Sequence, residues 1–260
     1  MKLFDFHLHP FYDFGREAAS PEEFAADLRR YGTVMCAGSV IHQADSKRPV
    51  QDYAEILPRL NREAFALHER MPDFYVPGIH IHPEFVELSC RELDHYAARG
   101  VKLVGEQVHY LMGWTCYTDK RMFAIMEHAR SLNMVVNFHP KKKPEDMEPL
   151  FAAFPRLQFV VAHLDGYGLY DFAIEMMRKY ENVSFDISAY GAAREGMIAD
   201  AVSKVGSSRI LYGTDYPGYE PRPFIDAVLQ ADITDDDREN IFYKNAARLL
   251  GVDAVQKSGK

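Results

Sequence analysis

Short apolar runs alternate with longer amphipathic segments along the whole chain. Eight runs have strand length, and they cover residues 3–9, 33–41, 74–82, 101–108, 134–139, 158–163, 183–187 and 209–215. Segments with apolar residues near helical spacing lie at 83–99, 119–132, 144–154, 169–180, 192–205 and 234–250. Strand-then-helix units repeated in this way over about 250 residues predict an α/β protein with a single-domain (β/α)8 TIM barrel.

Local signals mark where several helices begin and end. Ser20 precedes Pro21 and stands three residues before Glu23, which is the pattern of a capped helix N-terminus. Three aspartates at 235–237 suit the positive end of the last helix dipole. We therefore assign residues 1–251 to the barrel and residues 252–260 to a C-terminal tail.

Composition narrows the class of protein. The chain has 260 residues, of which 47% are hydrophobic and 26% are charged, so it is an ordinary globular chain. Thirty Lys and Arg against 38 Asp and Glu give a net charge of −8, which argues against binding nucleic acid through its phosphates. Three scattered cysteines make neither a disulfide framework nor a thiolate metal site.

The sequence also indicates the expected cellular location and partners. The first residues have no hydrophobic signal region, and no apolar run approaches the roughly 20 residues of a membrane helix. We expect a cytoplasmic protein that acts on a small molecule, with no membrane partner. A homodimer is expected only from the general frequency of symmetric dimers.

Side chains that bind metals fall where the apolar runs end. In a barrel of parallel strands these ends meet on one face, which is the usual active-site face. His7 and His9 are two residues apart on one strand, so both point to the same side. The set comprises His7, His9, Glu106, His139, His163 and Asp215.

These residues lie in motifs that resemble the amidohydrolase superfamily, in its amidohydrolase-related branch. The motifs are Phe-His-Leu-His at 6–9, Asn-Phe-His-Pro at 137–140, Ala-His-Leu-Asp-Gly at 162–166 and Tyr-Gly-Thr-Asp-Tyr-Pro at 212–217. The resemblance implies a (β/α)8 barrel in which His7, His9 and His139 are metal ligands. It implies that His163 is a ligand of a second ion or a catalytic base. It implies that Asp215 is a ligand or a proton acceptor.

The fourth run differs from the commonest pattern of that superfamily, which has a lysine ligand there. Lys102 lies about 13 Å below Glu106 along a strand, at about 3.3 Å per residue, so it is a poor ligand candidate. Gly105-Glu106 is similar instead to the fourth strand of TatD-type metal-dependent hydrolases, in which a glutamate contacts or bridges metals. This leaves two alternatives, one ion or two ions that share Glu106.

The expected cofactor is a divalent cation. Mixed imidazole and carboxylate ligands suit zinc first, with manganese, iron or nickel as alternatives. The first functional hypothesis is a hydrolase in which a metal-activated water cleaves an ester, lactone or amide of a carboxylate-bearing substrate. Asp215 and His163 are its catalytic candidates. Its substrate-binding candidates are Tyr12, Arg16, Trp114, Lys141 and Arg194.

Three other functions stay open. A non-oxidative decarboxylase of an aromatic acid would use the same scaffold, although decarboxylases of this branch are expected to be longer than this chain. A TatD-like nuclease or phosphoesterase gains from Glu106 and loses from the net charge of −8. A non-catalytic metal-binding protein is the last. Asp186 and Ser188, which alternate with Ile187, are further candidates to face the barrel interior.

Overall fold

Eight parallel strands form one sheet in which each strand pairs with the next along the chain, from β1 to β8. The computed structural model describes residues 1–12, 20–192 and 194–252. The strands are β1 Leu3–Leu8, β2 Thr33–Ser39, β3 Tyr75–Ile79, β4 Leu103–Gln107, β5 Val135–Phe138, β6 Gln158–Val161, β7 Val183–Asp186 and β8 Ile210–Leu211.

Backbone hydrogen bonds between β1 and the segment that follows β8 close the sheet into a barrel. Phe6 N–H donates to the Tyr212 carbonyl over 3.0 Å, and Asp215 N–H donates to the His7 carbonyl over 2.8 Å. Gly213 allows this approach, because a Cβ there would lie 2.8 Å from the Cβ of His7. The structure thus confirms the predicted (β/α)8 barrel.

Helices follow the strands and cover the outside of the barrel. They are α1 Pro21–Arg30, α2 Tyr53–Arg70, α3 Val86–Ala97, α4 Lys120–Ser131, α5 Glu148–Ala153, α6 Tyr170–Lys179, α7 Met197–Val205, α8 Arg222–Gln230, α9 Asp235–Glu239 and α10 Asn245–Leu250. A single π-helical turn joins the last two. The predicted cap of α1 is confirmed, since Glu23 N–H donates to Ser20 Oγ and Ser20 N–H donates to Glu23 Oε2.

The core fills the space between the strands and the helices. Phe4 and Phe6 of β1 are fully buried and share a cluster with Ala246 and Leu250 of α10. Burial of a phenylalanine side chain contributes about 1.5–3 kcal/mol, so the last helix is held firmly against the first strand. The boundary between the barrel and the tail stays a prediction, because residues 253–260 lie outside the described part.

Candidate metal centre

The histidines predicted at the strand ends meet inside the mouth of the barrel. His7 and His9 leave β1 on the same side, and their rings are perpendicular with centroids 5.4 Å apart. The His163 ring stacks on His7 at 5.0 Å, and the His139 ring lies 4.9 Å from His163. All four are at least nine-tenths buried. Residues up to 156 positions apart in sequence, from 7 to 163, thus form one imidazole cluster.

Glu106 lies at the centre of this cluster. Its Oε2 is 3.0 Å from His9 Nε2 and 3.1 Å from His7 Nε2. Its Oε1 is 3.0 Å from His139 Nδ1 and 3.8 Å from His163 Nε2. The side chain is only 2% exposed. The two carboxylate oxygens therefore face two different pairs of histidines.

Hydrogen bonds at Nδ1 of His7 and His9, on the side of each ring away from Glu106, direct Nε2 into the cluster. His9 Nδ1 donates to the Ser39 carbonyl over 3.0 Å, which holds the ring with Nε2 directed at Glu106. His7 Nδ1 lies 2.8 Å from Asp186 Oδ2. A carboxylate or carbonyl behind an imidazole is the usual support of a metal-ligating histidine.

The donor set fits a divalent cation. Two groups of three potential ligands share Glu106, one with His7 and His9 and the other with His139 and His163, and the ligand atoms of each group lie within 4.8 Å of one another. His7 Nε2 is buried and points into this cluster, where its neighbour at 3.1 Å is a Glu106 carboxylate oxygen, which has no proton to give to a lone pair. A buried lone pair without a donor is costly, and a cation would satisfy it.

Asp215 lies at the edge of the cluster. Its Oδ1 is 3.6 Å from His9 Nε2 and 3.8 Å from His7 Nε2, and its side chain is 21% exposed. The backbone at Asp215 has φ +64°, and the backbone at His163 has φ +61°, a region that few residues other than glycine adopt. Such strain persists where the surrounding structure enforces it, and it is common at functional sites.

The burial of these groups sets their protonation. Burial opposes ionisation of Glu106, but the charges of His7 and His139 outweigh it and hold the Glu106 pKa well below its ordinary value. Burial, together with the neighbouring His139, lowers the pKa of His163 to about 3, so His163 is a neutral imidazole. Burial raises the pKa of Asp215 above its ordinary value. The cluster therefore holds an ionised glutamate beside an aspartate that retains its proton more readily.

A cavity of about 320 Å³ opens above the cluster, and His9, Glu106, His139, His163 and Asp215 form part of its lining. Aromatic side chains make up much of the remaining wall. Those on the wall are Tyr12, Tyr110, Tyr167, Tyr190 and Tyr219. The Tyr167 hydroxyl lies 3.2 Å from His139 Nε2, so this wall is in contact with the histidine cluster. No lysine or arginine of the described residues lines this cavity.

Most of the predicted substrate-binding residues that the structure describes lie outside the lining of this cavity. Trp114 is 5% exposed and packs on His109 and Tyr117, outside the cavity lining. Arg194 lies over the Tyr170 ring at 4.9 Å, also outside the lining. Only Tyr12 of this group reaches the cavity. Arg16 lies outside the described residues.

Lys141 lies in a second, more open cavity beside the first. Its ammonium pairs with Asp146 Oδ2 at 2.7 Å and with the Thr115 carbonyl. Lys142 and Lys143 line the same cavity, and Tyr110 and Tyr167 line both cavities. Of the predicted cations, Lys141 thus lies next to the site, where Asp146 neutralises it, and two further lysines lie beside it.

Two supports of the histidines, Asp5 and Ser39, were not predicted from the sequence. Asp5 accepts hydrogen bonds from His7 N–H and from the Thr214 hydroxyl, which ties β1 to the segment that carries Asp215. Asp5, His7 and His9 alternate along one strand, and this alternation was the available signal. No sequence signal marked Ser39, whose carbonyl orients His9.

Comparisons with known proteins bear on the family and the fold. The family model described as amidohydrolase matches residues 4–252, and no curated protein matches the chain. A 2,6-dihydroxybenzoate decarboxylase from Rhizobium is similar in structure, with 17% identity and a TM-score of 0.73 over 96% of this chain and 98% of that one.

Two other solved structures are similar at the same level. A candidate amidohydrolase from Staphylococcus aureus has 17% identity and a TM-score of 0.76, over 97% of this chain and 100% of that one. A dihydroxybenzoic acid decarboxylase from Polaromonas sp. JS666 was solved with manganese and the inhibitor 2-nitroresorcinol. It has 17% identity and a TM-score of 0.72, over 96% of each chain.

These structural similarities confirm the barrel fold. Among the described residues, no helix is long and apolar enough to cross a membrane. The family and the His and Glu groups together support an enzyme that uses a divalent metal. Because the family model spans nearly the whole chain, the protein belongs to the amidohydrolase family.

Proposed function

We propose that this protein is a metal-dependent, non-oxidative decarboxylase of a small aromatic acid. The observation that carries the proposal is the tyrosine-lined cavity of about 320 Å³ that ends on the histidine and carboxylate cluster. Pockets of this size bind small molecules, and apolar aromatic walls suit a substituted benzene ring. Decarboxylation therefore replaces hydrolysis, which was the first hypothesis from the sequence.

The structural neighbours support decarboxylation over hydrolysis. Two of them are decarboxylases of dihydroxybenzoic acids, and the match spans 98% of the Rhizobium enzyme. Chain length therefore does not separate this protein from decarboxylases, contrary to the expectation from the sequence. The manganese in the Polaromonas enzyme places manganese beside zinc as the metal to test first.

We propose that His7, His9, Glu106 and His139 hold the cation, with His163 and Asp215 beside them. When bound, a divalent cation supplies the positive charge that binds the carboxylate and an adjacent oxygen of the substrate. The cavity wall has no described lysine or arginine, so the histidine and carboxylate cluster is where an acid group must be received. The ring would then lie among the tyrosines.

Asp215 is the proposed proton donor to the ring carbon. It lines the cavity, and its carboxyl oxygen stands 3.6–3.8 Å from the nearest imidazole nitrogens, whereas Glu106 is held among three histidines at 3.0–3.1 Å. Transfer of its proton forms the ring C–H bond, the bond to the carboxylate carbon breaks, and carbon dioxide leaves. The resulting Asp215 carboxylate regains its proton from water.

The second cavity explains how an acid could reach a protein of net charge −8. A local positive patch attracts anions that the whole molecule repels. Among the described residues, no carboxylate lies within ion-pair distance of Lys142 or Lys143, so their charges are available at the mouth. The proposed substrate therefore remains carboxylate-bearing, as the sequence suggested.

Hydrolysis is the second candidate, and Glu106 favours it. Its two oxygens face two groups of histidines, an arrangement that two cations could share. Pairs of metal ions are common in enzymes that activate water for hydrolysis. The TatD-like nuclease of the sequence analysis belongs to the same class and differs only in substrate.

One experiment separates these functions. Protein loaded with manganese or zinc is incubated in ¹⁸O-water with hydroxybenzoic acids and with a panel of lactones, esters, amides and phosphodiesters. We expect carbon dioxide release from a hydroxybenzoic acid and no ¹⁸O in the aromatic product. Label in the product of a lactone, ester or amide, without carbon dioxide release, would replace decarboxylation with hydrolysis.

A further inference from the structure

We propose that Asp186 and Ser188 are positioning residues that fix the tautomers of His7 and His163. They thereby decide which ring nitrogen each histidine offers to the cation. The inference rests on the metal centre of the proposed function and is independent of the reaction that the centre performs. Both residues lie at the end of β7, and both are fully buried.

Ser188 stands between the two imidazoles. Its Oγ is 3.0 Å from His7 Nδ1 and 2.9 Å from His163 Nδ1. The same hydroxyl donates its single proton to Asp186 Oδ1. A hydroxyl has one donor and two acceptor lone pairs, so toward the imidazoles Ser188 Oγ acts only as an acceptor.

The hydrogen atoms on the two rings follow from this count. His163 Nδ1 must carry a proton to bond to Ser188 Oγ. His7 Nδ1 must also carry one, because it lies 2.8 Å from Asp186 Oδ2 and 3.0 Å from Ser188 Oγ, both of which accept. Each ring therefore offers Nε2 to a cation, which would take the place of any proton there, and these two atoms point toward Glu106 at 3.1 and 3.8 Å.

Asp186 also has a fixed orientation. Its Oδ1 accepts from His163 N–H over 3.1 Å and from Ser188 N–H over 3.0 Å, as well as from the Ser188 hydroxyl. An asparagine at this position must therefore place its carbonyl oxygen at Oδ1. Its amide NH2 then occupies the position of Oδ2 and faces His7 Nδ1.

This geometry predicts that Asp186→Asn inverts the tautomer of His7. The amide would donate to Nδ1, the proton would move to Nε2, and Nε2 could no longer bind a cation. In Ser188→Ala, His163 Nδ1 loses its acceptor, so His163 should populate both tautomers. A substitution that only loosened the packing would not invert one histidine selectively.

The test combines a spectrum with a metal titration. Protein labelled with ¹⁵N-histidine is freed of metal, held at a pH where imidazoles are neutral, and examined by long-range ¹⁵N–¹H correlation spectra. Zinc and manganese affinities are measured by competition with a chelator. Ser184→Ala is the matched control, because Ser184 is a buried serine on the same face of β7, two residues before Asp186.

We expect His7 to carry its proton on Nδ1 in the native protein and on Nε2 in Asp186→Asn. Metal affinity should fall about 10- to 100-fold in Asp186→Asn, which is usual for loss of a ligand's supporting carboxylate, and about 10-fold in Ser188→Ala. Ser184→Ala should stay within twofold of the native protein.

A His7 proton on Nδ1 in a folded Asp186→Asn protein, or unchanged metal affinity in both variants, would overturn the proposal. If Asp186→Asn does not fold, a single Nδ1–H tautomer of His163 in folded Ser188→Ala would overturn it alone. Failure of every aromatic acid to release carbon dioxide would refute the proposed function but leave these tautomers unchanged.

Discussion

Replacement of Glu106 by glutamine tests whether this residue organises the metal centre. Glutamine keeps the shape but has one oxygen and one NH2 group, so it offers an acceptor to only one of the two histidine pairs. Three imidazoles lie 3.0–3.1 Å from a carboxylate that is 2% exposed. Removal of one partner from a buried charged pair costs about 3–5 kcal/mol, so the metal-free protein should also lose stability.

The expected loss of metal affinity is at least about 100-fold, or about 3 kcal/mol, because Glu106 is the shared carboxylate of the two three-residue groups that it forms with the histidines. Metal content per chain is measured by mass spectrometry after dialysis against buffered zinc or manganese, and affinity by chelator competition. The native content also shows whether one ion or two are bound.

Glu63→Gln is a suitable control. Glu63 contacts His42 Nε2 and Arg59 on the outside of the barrel, so its change removes a comparable carboxylate–histidine contact away from the centre. It should leave metal content and affinity unchanged. An equal number of ions bound with equal affinity in Glu106→Gln and native protein would refute the central role given to Glu106.

Three further predictions follow from the same contacts. Asp215→Asn should lower kcat for carbon dioxide release about 10²- to 10⁴-fold while aromatic acids still bind, and more than a tenth of native activity would contradict this. Lys142→Gln with Lys143→Gln should raise KM for the acid several-fold and weaken its salt dependence, unlike Lys179→Gln on the outer surface. Burial raises the pKa of Asp5 to about 7, so the folded chain keeps a proton that the unfolded chain releases from pH about 4. Stability should therefore fall as pH rises to about 7, by up to about 1.4 kcal/mol per unit, and Asp5→Asn should flatten this slope in urea titrations.

The sequence was most informative where local pattern and topology coincide. Strand periodicity placed His7 and His9 on one side, and the rule that parallel strand ends converge placed His139 beside them. Helices α2 and α8 were not predicted. The prolines at the start of α8 are compatible with a helix N-terminus, whereas α2 carries Pro58 in its second turn. Proline is unfavourable inside a helix, so local preference was overruled there by packing.

The residues that line the cavity were harder to predict than those of the histidine and carboxylate cluster. A loop side chain points where its distant neighbours allow, and Lys141 is held by Asp146 and by the Thr115 carbonyl rather than directed into the main cavity. Trp114 is buried against Tyr117, a contact that no spacing rule gives. Tyrosines of the cavity wall come from several separate loops, so only the folded chain shows that they surround one space.

The junction of β1 with the segment after β8 has a consequence for how this enzyme matures. His7 and Asp215 lie at opposite ends of the chain, yet the Asp215 N–H donates to the His7 carbonyl within the bond network that closes the barrel. During synthesis, the amino-terminal histidines leave the ribosome long before Asp215 exists. A nascent chain therefore has a carboxylate missing from its centre until the eighth strand has emerged. Assembly of the complete centre is in this sense a late event, which occurs only when the chain has been synthesised through β8 and the barrel has closed.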